Sequence, residues 1–191
     1  MMDCKTALVE AGGDQDQAHK FLRQKGQASA AKRSAKATSE GAVGSYIHGG
    51  GKLGVLIEVN CETDFVARTE VFQRLVKDLA MHVAASEPRF VERSEVTEEV
   101  LASERAIYRQ QALATGKPEK VVDKIIAGKM EKYFQEFCLL EQPFVRDSNQ
   151  SVQDVVGAVI AKCGENIRVK RFTRFVLGQD DTRKAGANAI C

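Results

Sequence analysis

The chain has 191 residues, 43% hydrophobic and 28% charged, enough for one or two compact domains with a sizeable core. A net charge of +2, from 28 basic and 26 acidic residues, does not by itself suggest a nucleic-acid binder, whose domains usually show a clustered basic excess. No run of about 18 apolar residues is present, and the start MMDCKTALVE lacks a charged-then-apolar pattern, which argues against membrane-spanning and secretory classes.

Residues 1–26 read as two short helices. Asp3 is placed to cap the first and Gly12-Gly13 to stop it. Asp14 is placed to cap the second, with Gln17 completing a capping-box pattern. Ala18, Phe21 and Leu22 then share one face, and Gly26 is expected to close the helix. Residues 27–40, QASAAKRSAKATSE, contain no large apolar side chain and read as a linker, with some helical tendency from its alanines and lysines. Its Lys32, Arg33 and Lys36 form either a basic tether or a plain solvated stretch.

Next, GAVGSYIHGGGKLGVLIEVN reads as two strands around a glycine turn. The second strand is almost continuously apolar, which predicts cover on both faces over at least part of its length. The hairpin runs into NCETDFVART, residues 60–69, where Phe65 stands alone between an acidic pair and the next amphipathic run. On the residues alone, Phe65 reads as a core aromatic at a helix start, with Asp64 as its N-cap. From 70 to 85 the period becomes helical. Phe72, Leu75, Val76, Leu79 and Val83 make one stripe, set to lie against the sheet, and Glu87-Pro88 ends it.

Residues 97–137 predict two antiparallel helices, with GKP at 116–118 as the stop and restart. Val100 with Ile107 and Leu101 with Tyr108 supply one stripe. Val121, Val122, Ile125 and Ile126, continued by Met130, Tyr133, Phe134 and Phe137, supply the other. CLLEQPFV reads as an irregular or edge segment and SVQDVVGAVIAKCG as a helix capped by Ser151. In ENIRVKRFTRFVLG, Ile167, Val169, Arg171, Thr173, Phe175 and Leu177 alternate with Arg168, Lys170, Phe172, Arg174 and Val176, the pattern of a long strand. Residues 179–191 carry no pattern and are expected to be a disordered tail.

No catalytic constellation emerges. The five cysteines (Cys4, Cys61, Cys138, Cys163, Cys191) are far apart with no CxxC, which speaks against a zinc site or disulfide framework and for a reducing compartment. His19, His48 and His82 are scattered; His19 and His82 fall on helices and read as structural. HGGGK lacks the spacing of a phosphate-binding loop. No metal ligand set and no cofactor is expected. A cysteine-nucleophile enzyme has no supporting Cys–His pattern.

Taken together and in order, MMDCKTAL (1–8), FLRQKG (21–26), GSYIHGGGKLGVLIEVNCETDFVA (44–67), GKP (116–118), LLEQPFV (139–145) and GENIRVKRFTRF (164–175) resemble the translation elongation factor Ts family, in its short, single-core form. The resemblance implies an α+β fold. Residues 1–26 would be part of a small UBA-like helical module whose first helix would precede Met1. Residues 41–178 would form a sheet-plus-helices core, with a protruding antiparallel helical hairpin at about 97–137. It implies a non-enzymatic guanine-nucleotide exchange factor for elongation factor Tu, bound in its GDP or nucleotide-free state, in the bacterial cytoplasm or an organelle.

Within that family pattern Thr63, Asp64, Phe65 and Val66 sit at a loop tip whose phenylalanine enters a pocket in the GTPase nucleotide domain. His48 and Gly49 touch another domain of the same partner, and Lys5 with the 21–25 segment adds a contact from the N-terminal module. The resemblance further implies a homodimer, no membrane and no specific nucleic acid. The competing reading is an RNA-binding or ribosome-associated module, built on Lys32, Arg33 and Lys36 with Arg168, Lys170, Arg171 and Arg174.

Overall fold

A computed structural model describes residues 2–114 and 118–179. The expected tail beyond 179, and Gly116 and Lys117 of the GKP turn, lie outside the described residues.

The core is a mixed α+β assembly around a three-stranded antiparallel sheet whose central strand, residues 53–61, pairs with residues 40–48 on one side and 167–176 on the other. β1 (Glu40–His48) and β2 (Leu53–Cys61) form the expected hairpin, joined by a 3-10 turn at Gly49–Gly51. All three turn glycines have φ between 54° and 84°, where a Cβ is disfavoured, so the triplet fits the backbone. β5 (Ile167–Val176) pairs with β2 on its other side.

The amphipathic stripe behaves as predicted. In α4 (Glu70–Ser86), Phe72, Leu75, Val76, Leu79 and Val83 are all buried against the sheet. Gly44 of β1 makes that contact possible, since a Cβ there would overlap Val76 Cγ1. Thr69 caps the helix through a hydrogen bond from Phe72 N, and Glu87 ends it in the left-handed conformation just before Pro88.

Cover on both faces of β2, by contrast, is not found. Val55, Ile57, Val59 and Cys61 are buried while Leu56 is exposed, so the strand alternates and one sheet face is open. The apolar run misleads because Leu56 lies on that open face. In β5 the predicted alternation breaks at a bulge. Glu58 pairs with Arg171 and Val59 with Val169, leaving Lys170 as the extra residue. Phe172 therefore joins Ile167 and Val169 in the core, while Arg171 and Phe175 turn outward.

At the N-terminus, α1 (Met2–Glu10) begins at Met2, so Asp3 lies inside the helix rather than ahead of it. Gly12 and Gly13, both at positive φ, follow its end, with Gly13 N bonded to Leu8 O at 2.9 Å. Asp14 caps α2 (Gln15–Arg33) as expected, accepting from Gln17 N at 3.0 Å. The helix does not close at Gly26. It continues through the Ala-rich segment to Arg33, which shortens the expected 27–40 linker. Gly26 instead lies inside the helix facing α7 (Val152–Cys163), where an added Cβ would make ordinary contact, 3.8 Å from Ala161 Cβ. α7 carries the expected Ser151 cap as a full capping box with Asp154, and Gly164 at φ 75° terminates it.

The helical hairpin is α5 (Glu98–Ala114) and α6 (Glu119–Phe137), with Pro118 at the N-cap of α6. Their antiparallel run follows from the pairs across them. Arg109 meets Glu119 and Asp123 near one end, while Val96, Tyr133 and Cys138 pack with Val100 and Leu101 near the other. The seam runs through Ala112, Val122, Met130 and Tyr133, which are buried, and Ile107 of the predicted stripe is left exposed. Two backbone bonds, Leu139 N to Phe90 O (2.9 Å) and Leu140 N to Val91 O (3.1 Å), fasten the hairpin's base to the core. Arg93 braces it further, bonding to Glu131 and Glu141 while lying 4.3 Å over the Phe134 ring.

CLLEQPFV is a 3-10 turn at Leu139–Glu141 followed by β3 (Pro143–Phe144), which pairs with β4 (Asp147–Ser151), a strand the sequence reading left out. Gln142 and His82 form a buried polar pair behind it. His82 Nδ1 accepts from Val145 N (3.1 Å), so Nε2 carries the proton and donates to Gln142 Oε1 (2.9 Å). Gln142 in turn donates to Ser86 O (3.1 Å) and Glu136 O (2.6 Å). His82 is structural, as expected, and Gln142 shares that role. His19 is exposed on α2 and contributes nothing to the core, contrary to its structural reading.

Among the described residues, no helix is long and apolar enough to cross a membrane, and no cluster of His, Cys, Asp or Glu has metal-ligating geometry.

Candidate functional site

The segment from Cys61 to Arg68 leaves the end of β2, makes one short helical turn, α3 (Asp64–Ala67), and enters α4. Thr63, not Asp64, is the N-cap: its hydroxyl accepts from Val66 N at 3.4 Å. Asp64 occupies the first position of the turn and pairs with Arg68 at 2.8 Å.

The turn separates its four residues by role. Val66 and Ala67 are buried and pack into the main core, anchoring the turn from below. Thr63 is committed to hydrogen bonds. Phe65 points away from all of this and is 79% exposed, against 60% for Phe175 on the open sheet face. The inward reading of Phe65 is therefore overturned. Core packing does not require the side chain there, and an exposed phenyl ring on an anchored turn is a surface that association can bury.

The turn is held by residues that are distant in sequence. Glu165 receives Thr63 N (3.1 Å) on one carboxylate oxygen and Thr63 Oγ1 (2.7 Å) on the other. Glu62 accepts from Asn166 N (2.6 Å) and from Lys36 Nζ (2.9 Å), which hold its carboxyl below the ordinary glutamate range. The buried Asn166 side chain donates to Lys36 O (2.8 Å), and Arg33 at the end of α2 donates to Gly164 O. Cys61 Sγ donates to Thr63 O at 3.1 Å, and burial raises its thiol pKa, which disfavours the nucleophilic thiolate. Sequence reading had missed Glu62, Glu165 and Asn166 as site residues. The one available signal was the polar Glu165-Asn166 pair between the Gly164 helix stop and a strand.

His48 lies at the opposite end of the β1–β2 hairpin. It is exposed, its ring is stacked on Tyr46 with centroids 5.8 Å apart, and its Nδ1 is 2.9 Å from the Tyr46 hydroxyl. Gly49 follows it in the turn. Eight residue steps along β2, at roughly 3.3 Å each, put the two ends about 26 Å apart, so one chain does not bring His48 and Phe65 together. Lys5 is exposed on α1, whose partner α2 joins the core through α7.

The basic residues behind the nucleic-acid reading are mostly neutralised. Arg168 pairs with Glu92 (3.4 Å), Arg171 with Glu58 (2.7 Å), Lys36 with Glu62 (2.9 Å), and Arg174 with Glu87.

A family profile described as "Elongation factor TS" matches residues 15–179. The chain is 62% identical over 179 residues to a protein named Elongation factor Ts from Moorella thermoacetica, covering 94% of this chain and 88% of that one. It is 59% identical over 178 residues to a protein of the same name from Koribacter versatilis, covering 93% and 81% respectively. A third relative of that name, from Geobacter metallireducens, is 54% identical over 184 residues, covering 96% and 85%.

Proposed function

The chain belongs to the elongation factor Ts family, and we propose that it is a guanine-nucleotide exchange factor for elongation factor Tu that works by inserting Phe65 beside the nucleotide site. The observation that carries this reading is the 79% exposure of Phe65 on a turn whose neighbours Val66 and Ala67 are buried. Burying a phenyl ring on association gains roughly 2 to 3 kcal/mol. By linkage, that energy can oppose nucleotide binding only if nucleotide equally opposes the factor. Asp64 extends the contact, while Thr63 and Val66 hold the turn from behind. No covalent bond is made or broken, so the factor is not an enzyme in the ordinary sense, and neither cofactor nor metal takes part.

His48 and Gly49 supply a second contact to the same GTPase, away from the nucleotide, and Lys5 a minor third. Because His48 and Phe65 sit at opposite ends of the hairpin, two chains pair so that each partner meets both surfaces. The open sheet face supports that pairing. Val43 (70% exposed) and Ile47 (66%) lie on β1 and Phe175 (60%) on β5, with Leu56 on β2, the strand between them. Apolar side chains exposed together on one sheet face are a surface that association can bury. Closed two-fold symmetry would cover it. A bacterial cytoplasm or an organellar matrix is the setting in which this partner works.

The RNA-binding alternative draws no support from the paired arginines of β5. Release of a fluorescent GDP from elongation factor Tu tests the proposal. The protein should accelerate it by about tenfold or more, a coupling of at least about 1.4 kcal/mol. No acceleration by the folded protein with a cognate partner would refute it.

A further inference from the structure

We infer that Glu165 is the positioning residue of the Phe65 turn, holding it in the conformation that a partner must receive; the inference rests on the exchange reading above. A helical turn of four residues cannot hold its own shape, because a single turn fixes several dihedral angles for very few hydrogen bonds. Yet α3 must carry an exposed phenyl ring at a defined angle. Glu165 supplies what the turn lacks, since its two carboxylate oxygens take both the backbone N–H and the hydroxyl of Thr63, at 3.1 and 2.7 Å. That fork sets the residue at which the chain leaves β2 and starts the turn. It also aims the Thr63 hydroxyl, which donates to Glu165 and accepts from Val66 N at 3.4 Å.

The carboxylate is itself braced. Its neighbours Gly164 and Asn166 are gripped by Arg33, by Glu62 and by the carbonyl of Lys36. The Glu165 backbone therefore sits between two fixed points, and the ordering is complete before any partner arrives. A preformed turn spares the complex the entropy of ordering it on contact. Without Glu165 the ring would still be present, and the remaining surface would still meet the partner, but the ring would sample many directions. The loss should therefore fall on the GDP-release rate at saturating factor more than on the half-saturating concentration.

The role needs two acceptor oxygens, which a carboxylate supplies. Gln keeps one acceptor oxygen and turns an N–H₂ towards a donor, so Glu165→Gln should lose part of the effect and Glu165→Ala most of it. The chain contains no tryptophan, so Phe65→Trp places a single reporter on the turn. Time-resolved anisotropy of that tryptophan should show a restrained ring, and the same measurement with Glu165→Ala added should show a new fast component, with no partner present.

In the exchange assay, Glu165→Ala should lower the saturating release rate by about tenfold, the scale of one lost charged hydrogen bond, per mole of folded factor. A merely structural role would lower the melting temperature and the folded fraction, leaving both the saturating rate per folded molecule and the anisotropy decay unchanged, and would overturn the inference. If Phe65→Ala exchanges like wild type, the reading beneath the inference fails. If Phe65→Ala is inactive while Glu165→Ala matches wild type, the inference alone fails.

Discussion

Thr63 and Glu165, 102 positions apart, meet through two hydrogen bonds into one carboxylate, and that contact ties the end of β2 to the loop before β5. It explains how a turn of four residues can leave Phe65 outside while Val66 stays inside. It also defines what mutation should separate, which is the ring that a partner would bury and the frame that holds it.

The frame begins with Gly44, where β1 passes directly over α4. Gly44→Ala should push its methyl group into Val76 Cγ1 and cost about 1 to 3 kcal/mol through overpacking. Urea denaturation should show a lower midpoint with an unchanged slope. A variant as stable as wild type would mean that α4 and β1 can separate without penalty.

His82 should make stability depend on pH. Burial lowers its pKa, so the unfolded chain takes up the proton more readily than the folded one. Stability contributed by the neutral ring is complete above the unfolded value of about 6.5, and it is lost as pH falls from there through the depressed folded value. His82→Leu should remove this slope. It should also cost about 1 to 3 kcal/mol at neutral pH, because Gln142 and the Val145 N–H lose their partner. Chemical denaturation at several pH values between 5 and 8 checks both; an unchanged slope in His82→Leu would place the titration elsewhere.

The open sheet face should govern self-association. Phe175→Glu puts a charge into the strip formed with Ile47 and Leu56, and the change should cost the folded monomer less than about 0.5 kcal/mol because the site is exposed. Sedimentation at micromolar concentration should show a dimer for wild type and a monomer for the variant, with the same circular dichroism. A wild-type monomer, or a dimer that tolerates Phe175→Glu, would remove this face as the interface.

Much of this frame was legible in the residues because it rests on local periodicity. The stripe Phe72, Leu75, Val76, Leu79 and Val83 names its own buried face, and Ser151 and Asp14 mark their helix starts through the bonds they accept. What could not be read depends on pairing. A bulge exists only between two strands, so the side to which Phe172 and Phe175 turn is invisible in β5 alone. Gly26 looks like a helix stop, and nothing local shows that α2 runs on to pack against α7. Phe65 looks like core on the residues alone; the family resemblance implies its display, and its 79% exposure beside a buried Val66 is visible only in the fold. The Glu165 fork spans 102 positions and leaves no periodic trace.

The most direct test compares Phe65→Ala with wild type in two measurements on the same samples: thermal unfolding, and release of fluorescent GDP from elongation factor Tu. Because Phe65 is 79% exposed, the account predicts a melting temperature close to wild type, together with loss of most of the exchange activity. A variant destabilised by about 3 to 5 kcal/mol, the cost of emptying a core phenylalanine site, or one that keeps full exchange, would contradict it.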